Sequence, residues 1–320
     1  MREVLNALLP WEFSPTALIG ALAALIAYLR GWRRVGRRAG VLRPAAFLAG
    51  VLLPYAFLDT HLEFYALHLF WLQRIDHLVL HHLAPFLIAL AAPLPLLEQG
   101  TPLWVRERLL RPILTGRALL ALYRFLQQPV LASVMFVGLI YLWLIPSVML
   151  DTMLSRTDYG IMNASMLIDG ILFWWLMVGP EDPQREVRVS FGARMIILVA
   201  ITIPQSLLGA FITFHRSILY PSFDICGRIG SIRPLVDQEL GGLNTWVLPG
   251  MMSVAGLAVV TSRAMRESPR LNARPGAPAP RSRPAASPHA AGSPGWNPEI
   301  DDPAADGTAL HRALPRMSPR

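Results

Sequence analysis

Residues 76–97 read "DHLVLHHLAPFLIALAAPLPLL". After Asp76 the run carries no charged side chain as far as Leu97. Roughly 20 such residues, rising about 1.5 Å each as a helix, match a hydrocarbon core of about 30 Å. Pro85, Pro93 and Pro95 interrupt the run. Prolines are tolerated in membrane helices because neighbouring helices satisfy the freed backbone groups. The run therefore predicts a kinked transmembrane span that opens on His77, His81 and His82.

The rest of the chain follows the same plan. Apolar stretches lie at about 14–31, 44–58, 77–97, 128–150, 159–180, 192–214 and 241–262. Of the 320 residues, 53% are hydrophobic and 16% charged. A soluble domain carries about a quarter charged residues, so the shortfall supports spans rather than a water-facing surface. The expected fold is all-α: a polytopic membrane helix bundle of about seven transmembrane helices. Residues 1–266 form that bundle. Residues 267–320, rich in Pro, Ala, Ser, Gly and Arg, lack the apolar surface to offset ordering entropy and read as a disordered tail.

Arginine sets the orientation. All 29 basic residues are arginine. Loops 30–43, 98–127 and 181–194 hold 6, 5 and 3 of them, against 1, 1, 1 and 3 in segments 1–13, 59–76, 151–158 and 215–240. The positive-inside bias predicts N-out and C-in, which needs an odd number of spans. Loop 98–127 is amphipathic and suits the membrane interface. The N-terminus, with an early acid and a broken apolar run, reads as leading into a retained first helix rather than a cleaved signal. Because the arginines flank spans, a net charge of +8 points to lipid bilayer rather than nucleic acid. A single cysteine, Cys226, excludes an intrachain disulfide. No phosphate loop, nucleotide fingerprint or nucleophile–base pattern supports an enzyme.

Several side chains are candidates for chemistry. His77 and His81 are four apart and share a helical face, whereas an ideal helix turns His82 away. Two imidazoles at that spacing suit copper or zinc, with a further ligand needed from another span. His215, at the same expected outer side, is the candidate third ligand. Met149 and Met153 repeat the i, i+4 spacing and offer soft sulfur for Cu(I). Interfacial histidines bonded to carbonyls, and methionines as apolar filling, explain the same residues without metal. Asp169 stands mid-span, where an ionisable group is a functional candidate by default. Asp237 and Gln238, in a polar outer loop, offer oxygen ligands or support to a histidine ligand.

Three segments resemble CtaG-like cytochrome c oxidase assembly factors. The histidine-bearing third span is similar to that family's His-rich helix with its Ala-Pro and second Pro. "GILFWW" at 170–175 resembles its Gly-plus-Phe-Trp-Trp segment. "LYP" at 219–221 followed by "DQELGGLNTW" at 237–246 resembles its Leu-Tyr-Pro, Asp-Gln, Gly and Trp, the last being Trp246. The resemblance covers about residues 45–262. It implies a multi-pass protein of the bacterial plasma (inner) membrane; the arginine bias puts the C-terminal tail in the cytoplasm. It also implies cytochrome c oxidase subunits as partners and a part in copper delivery or insertion at the outer face. The chain departs from the family pattern at Gln73, Tyr159 and Asn163, where the family places histidine, and at Thr245, where it often has methionine. Three readings follow: a copper-handling assembly factor using His77, His81 and His215; a non-metal scaffold for oxidase subunits; and a small-molecule or ion transporter working through Asp169.

Overall fold

The computed structural model describes residues 15–35, 40–180 and 188–272, and within them it is helical with no β-strand. The expected retained N-terminus and C-terminal tail lie largely outside these residues. All seven predicted stretches are helical. The helices are α1 (Pro15–Val35), α2 (Leu42–Leu58), α3 (His61–His68) and α4 (Phe70–Leu78), which runs through a π-helical turn (Val79–Leu83) into α5 (Ala84–Ala91). After α6 (Leu94–Gly100) a chain of short turns leads to α7 (Arg117–Leu126), α8 (Pro129–Trp143) and α9 (Pro146–Leu154). Then come α10 (Arg156–Val178), α11 (Phe191–Phe214), the single turn α12 (Ser222–Ile225) and α13 (Pro234–Asn272).

The number of spans differs from the sequence expectation. Among the described residues, α10, α11 and the 234–267 part of α13 are long and apolar enough to cross a membrane. The count rises to five if two bent pairs each form one span: Phe70–Ala91 with α6, bent by 70°, and α7 with α8, bent by 77°. The physical causes are local. α2 is apolar but has only 17 residues. α1 ends on Arg33 and Arg34. The stretch 128–150 breaks between α8 and α9, because Pro146 starts a new helix where its missing N–H costs nothing. At Ala92 the backbone turns left-handed, with φ 48°, and Pro93 follows. Together they end α5 and swing α6 away.

α13 packs lengthwise on α11 and also against α4; α10 packs on α5, on the π turn and on α8. Two apolar clusters result. One joins Phe86, Phe136, Phe173, Trp174 and Leu198. The other joins Phe70, Ile140, Met149, Met166, Tyr220 and Phe223. Burying such side chains contributes about 25 cal/mol per Å² against water, but lipid is equally apolar, so close fit and internal hydrogen bonds hold the helices together.

Candidate functional site: a buried histidine cavity

The helix that bears the histidines begins earlier than expected. α4 starts at Phe70, so His77 lies about two turns inside the helix and His81 about three, rather than at its mouth. Asp237 explains the earlier start. Its carboxylate, fully buried on α13, accepts the Phe70 amide at 3.0 Å and the Trp71 amide at 2.9 Å. These are first-turn donors that no intrahelical carbonyl can satisfy. Arg228 pairs with the same carboxylate and also with Asp224 at 2.8 Å. Gln238 accepts the Leu219 amide at 2.6 Å and donates to the Ser217 carbonyl at 3.0 Å. The Asp-Gln pair therefore fastens backbone, and Gln238 also donates to the His215 carbonyl at 3.4 Å. Gly241 brings α13 against the Phe70 ring: a Cβ there would meet ring carbon at 2.2 Å. Trp246 closes against Gly209 of α11.

The π turn arises from Pro85. Proline has no N–H to give the carbonyl four residues back, which is that of His81. The helix widens, and the Ala84 amide bonds the Val79 carbonyl five residues earlier. The His81 carbonyl lies against Gly170 of α10, where a Cβ would come within 2.4 Å of it. The widened turn also changes the angular step between residues. His77, His81 and His82 consequently line one cavity, contrary to the ideal-helix expectation for His82. The cavity measures about 20 Å³ and is completed by Arg74, Met166, Asn244 and Thr245.

The walls combine aromatic and polar groups. His81 stacks on Phe136 at 4.1 Å, and Phe136 stacks on Phe173 at 3.9 Å. His82 meets Phe136 edge-on at 4.9 Å. A proton is held between His81 Nε2 and Asp169 Oδ2, which lie 3.0 Å apart. Both residues sit near the middle of their helices. Arg74 donates to Gln73 Oε1 at 2.9 Å and lies over the Phe70 ring at 5.1 Å. Gln73, Asp76 and His81 are fully buried, and His77, His82, Asn163 and Asp169 nearly so. Both ring nitrogens of His77 and both carboxylate oxygens of Asp76 are buried without a protein hydrogen-bond partner, and His82 has the Gln205 side chain beside it. Orphaned buried groups of this kind are costly. Their concentration in one place distinguishes this region from the rest of the bundle.

The other metal candidates lie elsewhere. His215 ends α11, outside the cavity, with Nε2 2.8 Å from the Ser217 hydroxyl. Met149 is buried in the apolar cluster around Phe70, and Met153 packs against that cluster. Among the described residues no three His, Cys, Asp or Glu side chains are arranged to hold a metal ion. The expected set His77, His81 and His215 is therefore not assembled. The cavity offers nitrogen and thioether donors, a chemistry suited to Cu(I), but Arg74 places a guanidinium on the same wall. The four departures from the family pattern are buried on the helices that enclose the cavity: Gln73 on α4, Tyr159 and Asn163 on α10, and Thr245 on α13. Sequence reasoning missed Arg74, Asp76 and Phe136. The first two were visible as charges on a helix that starts before His77, but the signal for that start lies 167 residues downstream of Phe70.

This is a helical membrane protein with a polar site buried in its bundle. Residues 26–267 match the family described as cytochrome c oxidase caa3 assembly factor (Caa3_CtaG), and the chain belongs to that family. It is 27% identical over 290 residues to an uncharacterized protein of Mycobacterium bovis, and equally so to one of Mycobacterium tuberculosis. Each alignment covers 82% of this chain and 40% of the relative, so the chain spans about two-fifths of those proteins' length. No solved structure matches it.

Proposed function

We propose that the protein is a non-catalytic assembly factor for cytochrome c oxidase of the caa3 type, holding an oxidase component in the membrane while the enzyme is built. The observation that carries this reading is the family match, which runs unbroken across every helix of the histidine cavity. Scaffolding suits a site whose motif residues, Asp237, Gln238, Gly241 and Trp246, are spent on fastening helices. Removing the gene is expected to lower both the amount of assembled oxidase and its activity, and the full chain supplied in trans restores them. Unchanged oxidase in the deletion strain would overturn the proposal.

A second reading has its own support. The orphaned nitrogens of His77 and the imidazole of His82 face a cavity shared with the Met166 thioether. Such donors suit Cu(I) in transit to the oxidase, as cargo rather than as a resident cofactor. In that case detergent-purified protein retains about one Cu(I) per chain. The double substitution His77→Ala/His82→Ala abolishes retention and lowers oxidase activity. Normal oxidase activity in the double variant leaves the scaffold alone standing.

A further inference from the structure

Residues 103–126 find no cover in the bundle. Three short turns, Leu103–Val105, Arg106–Leu110 and Arg111–Leu114, lead into α7, and none of these four elements buries a residue. The segment is nevertheless rich in large apolar side chains. Leu109 and Ile113, like Leu110 and Leu114, recur at four-residue spacing, and Leu119, Leu122 and Leu126 continue at three and four along α7. Trp104, Ile113, Leu122 and Phe125 are each more than half exposed. At about 100° per residue, Arg117 and Arg124 fall on the side of α7 opposite Leu119, Leu122 and Leu126. Among the described residues Arg106 pairs with Glu98 and Glu107, and Arg111 with Glu107, whereas Arg108 and Arg117 have no ion pair.

The joint with α8 gives this segment its direction. α7 meets α8 at a bend of 77°. Gln127 fixes the corner. It is buried, its backbone amide closes α7 on the Tyr123 carbonyl, and its side-chain amide donates to the Leu172 carbonyl of α10 at 2.9 Å. Pro129 then opens α8 in the first turn, where its missing N–H costs nothing. α8 packs against α10 and α11, both long and apolar enough to cross a membrane. Spans tilt by about 20° from the bilayer normal, so an arm bent this sharply from one lies near the membrane plane. Leu172 stands six residues before the end of α10, roughly 9 Å along the helix axis, which puts the corner close to the edge of the bilayer.

We propose that residues 103–126 form an interfacial arm that docks on anionic phospholipid, with its apolar stripe among the upper acyl chains and its arginines on the headgroup phosphates. The bent pair is then an interfacial arm followed by a crossing, rather than one kinked span. Such arms bind through buried apolar area together with attraction to anionic lipid, and tryptophan favours the headgroup level. Arginine stems are long enough to lie along the apolar surface while the guanidinium stays in the headgroups. Charge selects lipid over the other possible covers. A second copy would set arginine against arginine, and residues 273–320, with six arginines and four acids, carry the same sign. The inference is independent of what the protein assembles.

The test uses the full chain with Cys226→Ser and one environment-sensitive fluorophore, attached either at Leu122→Cys on the apolar stripe or at Ala121→Cys on the arginine side. Each protein is reconstituted in phosphatidylcholine bilayers with increasing phosphatidylglycerol. The Leu122 probe is expected to be quenched by lipid brominated near the headgroup end of its acyl chains, and neither by deeply brominated lipid nor by aqueous iodide. The Ala121 probe is expected to answer to iodide. Arg108→Gln/Arg117→Gln should need roughly threefold more phosphatidylglycerol for the same Leu122 signal. Arg216→Gln/Arg233→Gln, which removes the same charge from the loop between α11 and α13, should behave like its parent. A Leu122 probe open to iodide in every bilayer overturns the proposal. So does quenching by deep bromine, which would make the arm part of a span, and so does shielding from all brominated lipid, which would mean that protein covers it. An arm whose placement ignores both phosphatidylglycerol and the arginine substitutions overturns it as well. Should the Arg108/Arg117 variant fail to fold, a salt titration of the parent replaces it: docking by charge must weaken as screening rises, and a signal indifferent to salt refutes the proposal.

Discussion

At the scale of single residues, the pair His81–Asp169 has the most to explain. A mid-bundle acid is tolerable only with a partner, and its partner stands three turns into a neighbouring helix. The hydrogen bond needs one proton between the two groups. Asp169→Asn can preserve it through the amide, whereas Asp169→Leu leaves His81 Nε2 buried and unpaired. Leaving such a group unsatisfied costs about 1–3 kcal/mol. For a protein of this size each kcal/mol lowers the unfolding temperature by roughly 2–4 °C. Thermal unfolding in detergent is therefore expected to show the Leu variant clearly below wild type and the Asn variant close to it. Equal losses in both would mean that the carboxylate charge, not the hydrogen bond, is what the site needs. The sequence alone identified both residues as candidates, one for a metal and one for ion transport. It did not pair them, because 88 residues separate them and nothing local encodes that contact.

At the scale of elements, most of the helices were legible and their joints were not. The apolar runs mark all seven helical stretches, since hydropathy reports where a chain can face lipid. Where a helix starts depends on its caps, and α4 is capped from the far end of the chain by Asp237. The Asp-Gln motif looked like a ligand source because it sits in a polar loop; its carboxylate is held by Arg228 of that loop and by the first amides of another helix. Asp237→Ala removes two charge-assisted bonds from α4 and leaves Arg228 without one of its two acid partners. Losing a helix N-cap costs about 0.5–2 kcal/mol. Amide exchange resolved to the Phe70–Arg74 segment is expected to rise sharply in this variant and only slightly at the far end of the same helix, in α5. Asp237→Asn, which keeps one accepting oxygen, falls between. Uniform exchange along Phe70–Ala91 would refute the cap. The π turn was equally hidden: Pro85 announced a disturbed helix, but only the close approach of Gly170 decides that the helix widens rather than breaks.

At the scale of the whole molecule, orientation can be tested whether the chain crosses five or seven times. With five or seven crossings, the loop carrying Cys226 lies opposite the segment carrying Thr115. The arginine bias expects Cys226 outside and Thr115 inside. A membrane-impermeant maleimide applied to intact cells should therefore label Cys226, and should label Thr115→Cys in a Cys226→Ser background only after permeabilisation. The rate carries a second signature. Cys226 is half-buried, and burial pushes its thiol up from the ordinary value. The thiolate is the reactive form, so a raised pKa lowers its fraction at neutral pH. Labelling should be slow at pH 7 and climb about tenfold per pH unit as the medium becomes alkaline, without reaching a plateau at the pH where an ordinary exposed thiol does. The reverse pattern, with Thr115→Cys labelled in intact cells and Cys226 protected, would invert the orientation.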